Sequence, residues 1–285
     1  MSLLLVGTDF STRSDRALRR AILLAREARY ELLLVGITDE QLSTGSAAAQ
    51  RREASKVLHQ MQRAIVEDDG VPCRVEVQSG RPSDELARIA QRAGAAMMLI
   101  GPHRRSMIRD AFGAATAERI VKKSPVPLIS ANGIPSGPYR RLLLPVDLGN
   151  ASRRAVQALQ TIEFGELAEI VLLHIYDTEA REMLGRSGVT SDKRRAYLAE
   201  CALAAKKELR DFAASEGLKH ATQFVTEARG PMAADIERFA ADDGTDLIVV
   251  SRSNEGAVGR FILGSVTEDL VRFGKLDVLV IPEPQ

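Results

Sequence analysis

Asp9 and Asp147 hold the same place in two similar segments, "SLLLVGTDFSTRSDRAL" and "RLLLPVDLGNASRRAV". Each carboxylate closes a short apolar run and precedes a Ser-containing helix start. If these runs are strands of an open α/β sheet, both carboxylates stand outside strand carboxyl ends, where such sheets bind ligands. The alternative role is to cap the helix that follows. A longer layout is also repeated, in "LIGPHRRSMIRDAFGAATAERIVKKSPVPLIS" from Leu99 and "VVSRSNEGAVGRFILGSVTEDLVRFGKLDVLVIP" from Val249. Each copy is an apolar run, a polar loop, a small-residue cluster opening a helix, and a second apolar run. In the later copy Gly264 and Ser265 open the helix, with Glu268 in its first turn. A helix start of this kind offers unpaired amides and a favourable dipole to an anion. The earlier copy has Ala114 and Ala115 there, and its loop carries His103, Arg104, Arg105 and Arg109. Guanidinium groups bind phosphate well, but solvated loop arginines are common.

Other chemistry has less support. The four histidines show no metal-ligand spacing, and His103 has no Cys or carboxylate partner visible in sequence. Cys73 and Cys201 are far apart in apolar patterns, which reads as two buried structural thiols. No Walker loop, H-x-G-H segment or S-G-G-x-D-S loop occurs, so no catalytic residue and no metal site are assigned. The 285 residues contain 45% apolar side chains and no Trp, at a net charge of +1. Residues 1–138 hold 20 Lys and Arg against 15 Asp and Glu, a net +5 that the remainder offsets. No dense basic tract with interleaved aromatics accompanies it, which argues against a nucleic-acid partner. No window reaches the roughly eighteen apolar residues of a membrane span. "MSLLLVGTDF" meets Asp9 too early for a secretory signal, so the expected location is cytoplasmic.

The elements that position these residues follow from periodicity. "LLLVGT", "ELLLVGI", "CRVEVQ", "AMMLI" and "VPLIS" are short apolar runs that read as strands. Helices fall between them: one after Ser11, one from about residue 48 to 67 stopped near Gly70, one from Ser83 to about Arg92, and one from about Ala114. From Arg140 the series restarts, with a long helix from about Lys193 to Ser215 whose apolar side holds Leu198, Cys201, Ala205, Leu209 and Phe212. Continuous apolar strands separated by helices predict parallel α/β sheets covered on both faces. "ANGIPSGPY" is rich in Gly and Pro and divides the chain into domains over 1–132 and 140–285.

A strand ending in Asp, a Ser-rich helix start and a fourth strand leading into a phosphate-type loop resemble the universal stress protein family, twice over in one chain. The resemblance implies two tandem five-stranded parallel sheets of order 3-2-1-4-5, pairing through their last strands, with a further homodimer as an option. Nucleotide-binding members carry G-x2-G-x9-G-S/T after the fourth strand, and their first-strand Asp holds adenine. The implied cofactor is ATP, with Mg left open. In the second half Ser251 and Asn254 stand at the leading glycines and Gly264 and Ser265 at the final pair. The implied pocket is Pro145, Val146, Asp147, Ile175, Ser251, Asn254, Gly264, Ser265 and Val266. In the first half Asp9, Ile37 and Gly101 match, but Arg104, Ala114 and Ala115 depart from the motif, so that copy reads as degenerate. Ile37 and Ile175 are equally readable as core. The expectation is a stress-response sensor or adaptor binding an adenine nucleotide in its second half, at most a slow ATP hydrolase. The alternative is an interaction or small-ligand protein with both clefts inactive.

Overall fold

A computed structural model describes residues 1–38, 44–102, 114–165, 168–176, 191–252 and 264–283. In the first half, β1 (Leu3–Thr8), α1 (Ser14–Ala28), β2 (Glu31–Thr38), α2 (Thr44–Asp68), β3 (Cys73–Ser79), α3 (Pro82–Ala93), β4 (Ala95–Ile100), α4 (Ala114–Lys123) and β5 (Leu128–Ser130) alternate. The second half follows with β6 (Arg141–Pro145), α5 (Asn150–Leu159), β7 (Glu169–Tyr176), α6 (Ser191–Ser215) and β8 (Thr222–Glu227). It closes with α7 (Met232–Asp243), β9 (Leu247–Ser251), α8 (Ser265–Phe273) and β10 (Asp277–Ile281).

Local chemistry accounts for several boundaries. Pro82 opens α3, where its missing N–H costs nothing, and Gly94 ends it at φ 62°. Gly244 ends α7 in the same left-handed conformation, at φ 75°. Gly70, at φ 67°, lies two residues beyond α2. Ser11 caps α1 as the sequence suggests: its hydroxyl accepts from the Ser14 amide at 3.5 Å while donating to Asp9 at 2.5 Å, and its carbonyl accepts from the Asp15 amide at 3.4 Å.

The strands form one sheet in the order β3-β2-β1-β4-β5-β10-β9-β6-β7-β8. The two five-stranded parallel runs are therefore not separate sheets. They join where β5 and β10 pair antiparallel, through Val278 with Ser130, Leu279 with Ile129 and Val280 with Leu128. Joining saturates two strand edges that would otherwise expose unpaired N–H and C=O groups. Pro127, within the run "VPLIS", and Pro125 both precede β5, which is interior to the sheet, so neither proline interrupts its ladder.

Alternate side chains of each strand enter two cores, one per face. Leu4, Val6, Leu142 and Leu144 lie on one face, and Leu3, Leu5, Leu143 and Val171 on the other. Both cores run through both halves. Full burial of one such leucine is worth roughly 1.5–3 kcal/mol. Along α6, Ala205, Leu209 and Phe212 are buried, but Leu198 and Cys201 are only half-buried, so Cys201 is not the core thiol expected of it. Cys73 is buried, and that burial pushes its thiol up to about 11.

Candidate functional site

The β6–α5 turn shows how this sequence places a carboxylate at a strand end. Leu148 adopts φ 64°, turning the chain so that the Gly149 amide donates to Asp147 Oδ1 at 2.9 Å. The Ser152 hydroxyl donates to the same oxygen at 2.5 Å and accepts from the Asp147 amide at 2.9 Å. Oδ1 is thus committed to the turn, while Oδ2 has no partner among the described residues. Asp147 does not cap α5, which has no side-chain cap; holding the turn and contacting a ligand are compatible, one oxygen for each.

Around this carboxylate lies a cleft of about 590 Å³, within the 300–1,000 Å³ typical of small-molecule sites. Pro145, Val146, Asp147, Ile175, Ser251, Gly264, Ser265 and Val266 all line it. The sequence placed these residues together across 122 positions, and the fold brings them together at the carboxyl ends of β6, β7 and β9. Asn254 lies outside the described residues. From α5 and α7, Ala151, Ser152, Ala155, Met232 and Ile236 also line the walls and were not singled out as cleft residues. Their helical periodicity is what core residues also show, so the only available signal was their place in the first turns of α5 and α7.

One end of the cleft is the N-terminus of α8. Gly264 is the residue before its first turn, at φ −54° and ψ 142°, and no side chain caps the helix. The first amides of a helix have no intrahelical acceptor, so this end carries unpaired donors and partial positive charge. A Cβ built on Gly264 would meet nothing within 4 Å. Its φ is open to any residue, so the glycine is not there for a left-handed turn. What it provides is empty space beside the helix amides.

The first half is arranged differently. Asp9 Oδ1 accepts from the Ser11 amide at 3.0 Å and the Ser11 hydroxyl at 2.5 Å, in a turn where Phe10 takes φ 60°. Burial raises the Asp9 pKa, but these hydrogen bonds outweigh it and hold the carboxyl below its ordinary range. Gly101 ends β4 against the start of α1. A Cβ there would fall 2.7 Å from the Arg13 carbonyl oxygen and 3.0 Å from Ser14 Cα. Close packing of α1 therefore accounts for this glycine without any ligand. Ile37 is half-buried at the end of β2 and packs on the same core face as its counterpart Ile175. Ala114 and Ala115 begin α4. Arg104, Arg105, Arg109 and His103 lie outside the described residues.

A tandem doubly wound α/β chain, with a largely apolar cleft carrying a few polar groups at the strand carboxyl ends of its second unit, is the class defined by fold and site. The model of the universal stress protein family matches this chain twice, over residues 2–130 and 138–282, and the chain belongs to that family. A universal stress protein of Methanocaldococcus jannaschii is 26% identical over 147 residues, covering 52% of this chain and 84% of that protein. The fold is shared with the crystal structure of a universal stress protein from Archaeoglobus fulgidus, at TM-score 0.73 and 16% identity over 99% of this chain and 98% of that one. A functionally unknown protein from Pseudomonas aeruginosa superposes with TM-score 0.66 at 16% identity, over 99% of this chain and 92% of that one. Among the described residues no helix is long and apolar enough to cross a membrane.

Proposed function

We propose that this protein is a stress-response sensor or adaptor that binds one adenine nucleotide, ATP or a relative, in its second half. Residues 1–132 act as the degenerate partner domain and 140–285 as the binding domain. The observation that carries this reading is the cleft lined by Asp147, Ile175, Ser251, Gly264, Ser265 and Val266 together. Asp147 Oδ2 accepts from the base, Ile175 and Met232 offer apolar surface to its face, and Ser265 with the amide of Val266 takes phosphate oxygens. The open space at Gly264 fits such a group, because a phosphate must approach the α8 amides closely.

Binding without efficient chemistry is part of the proposal. Of the carboxylates near the cleft, Asp147 spends one oxygen on its own turn, which suits recognition better than activation of water. The test is mass analysis of small molecules released by denaturing the purified, undialysed protein. Recovery of an adenine nucleotide supports the reading. Recovery of a different stoichiometric small molecule would replace it with the alternative of a non-nucleotide ligand.

A further inference from the structure

A second cavity, of about 450 Å³, lies on the seam between the two halves and shares no lining residue with the cleft at Asp147. Arg13 and Arg16 reach it from α1, and Arg272 and Lys275 from the end of α8 and the turn beyond. Four cations therefore meet from two halves of the chain, and none of the described lining residues is acidic. Assembling four positive charges is unfavourable unless something negative joins them.

The acidic groups nearby do not discharge it. Asp277 lies beneath and is occupied by Arg20 at 2.8 Å, the Tyr139 hydroxyl at 2.6 Å and the Gly133 amide at 2.7 Å. Glu118 pairs with Arg272 at 3.8 Å, too long for a hydrogen bond, so it offsets that one cation only in part. Arg16 donates to the Asn132 carbonyl at 2.9 Å, and neither it, Arg13 nor Lys275 has an ion pair among the described residues. The other side of the seam differs: Arg154, the counterpart of Arg16, has the carboxylate of Glu283 at 3.8 Å. Asn132, in the cavity wall, supplies an independent sign. It is only 8% exposed, its Oδ1 accepts from Ser130 at 2.9 Å, and its Nδ2 donor has no partner among the described residues. Such an orphaned buried donor is uncommon and calls for an acceptor.

We propose that this cavity binds a phosphate-class polyanion, larger than orthophosphate, that bridges the two halves. Guanidinium forks from α1 take oxygens on one side, while Arg272 and Lys275 neutralise the other. The site draws cations from both halves, so its ligand strengthens their pairing.

The test is calorimetric titration of the full chain with inorganic pyrophosphate at low ionic strength. Wild type is compared with the Arg272→Gln, Lys275→Gln double variant, whose altered side chains are exposed, and with Gly264→Val in the separate cleft. Circular dichroism checks that each variant is folded. One saturable site is expected in wild type, weakened at least about tenfold by the double substitution and changed less than about twofold by Gly264→Val. No saturable binding in wild type, or equal affinity in the double variant, overturns the proposal. Loss of binding in Gly264→Val alone also overturns it, by placing pyrophosphate in the nucleotide cleft.

Discussion

Arg20 Nε and Asp277 Oδ2 are 2.8 Å apart although 257 residues separate them in sequence. Both side chains are buried, and the Arg20 guanidinium also stacks 4.1 Å from the centre of the Tyr139 ring. Asp277 accepts from Tyr139 and from Gly133 as well, so the connection between the halves is strapped onto β10 rather than strung between domains. Desolvation and the adjacent carboxylate push the Tyr139 pKa well above its ordinary value. Removing the carboxylate would leave a buried cation and two donors without acceptors. Asp277→Ala is expected to cost about 3–5 kcal/mol in urea unfolding. Asp211→Ala, which breaks an exposed pair with Lys207, should be close to neutral. A small loss at Asp277 would mean that the strap does not hold the halves together.

Gly101, just after β4, and Gly264, just before α8, make opposite stability predictions. At Gly101 a Cβ meets backbone that cannot swing aside, 2.7 Å from the Arg13 oxygen, so Gly101→Ala should destabilise by about 1–3 kcal/mol. At Gly264 the space is open and the backbone angles are ordinary, so Gly264→Ala should lose less than about 1 kcal/mol, as an N-cap change. Thermal or chemical unfolding of the two variants gives the comparison, and equal losses would contradict it.

Asp235 fixes the first turn of α7, which carries the cleft residues Met232 and Ile236. Burial raises its pKa, but the amides of Arg229 at 2.7 Å and Gly230 at 3.1 Å, with Arg238 at 2.9 Å, bring it below the ordinary 3.8. A carboxylate held charged in the native state contributes stability above pH 3.8 and loses that contribution as pH falls through its native value. Asp235→Asn is therefore expected to be less stable than wild type at pH 7, by about 1–3 kcal/mol. The gap should narrow below pH 3.8. Unfolding midpoints measured from pH 7 downward would show a constant gap if the account is wrong.

The two cysteines should separate in a native thiol titration. With Cys73 near 11, its thiolate fraction at pH 8 is roughly one in a thousand. Cys201 is half-buried on α6 and should react first. One fast and one slow thiol are expected, becoming two fast thiols in denaturant. Two fast thiols in the native protein would contradict the burial of Cys73.

The repeated strand and helix pattern made both halves legible, because short apolar runs at fixed positions constrain a parallel sheet strongly. The family resemblance grouped Asp147, Ile175, Ser251 and Gly264, and the fold lines one cleft with them, since strand carboxyl ends and the helix start that follows converge whatever their separation in sequence. The strap was not legible. Arg20, Tyr139 and Asp277 sit in unrelated segments, and a contact over 257 residues leaves no periodic trace. Nor could the sequence distinguish the two glycines. Gly101 is excluded from bearing a side chain by a helix start, whereas Gly264 faces open space, and only coordinates separate those causes. Met232 and Ile236 were hidden because a helix stripe facing a cleft has the period of one facing the core.

Titration of the full chain with ATP by calorimetry, wild type against Gly264→Val, tests the central claim most directly. The valine fills space that no described atom uses within 4 Å of the position, so the fold is expected to persist while approach to the α8 amides is blocked. The account predicts one nucleotide per wild-type chain and at least about a tenfold weaker affinity in the variant. Two nucleotides per chain, equal affinity in both proteins, or no saturable binding to wild type would contradict it.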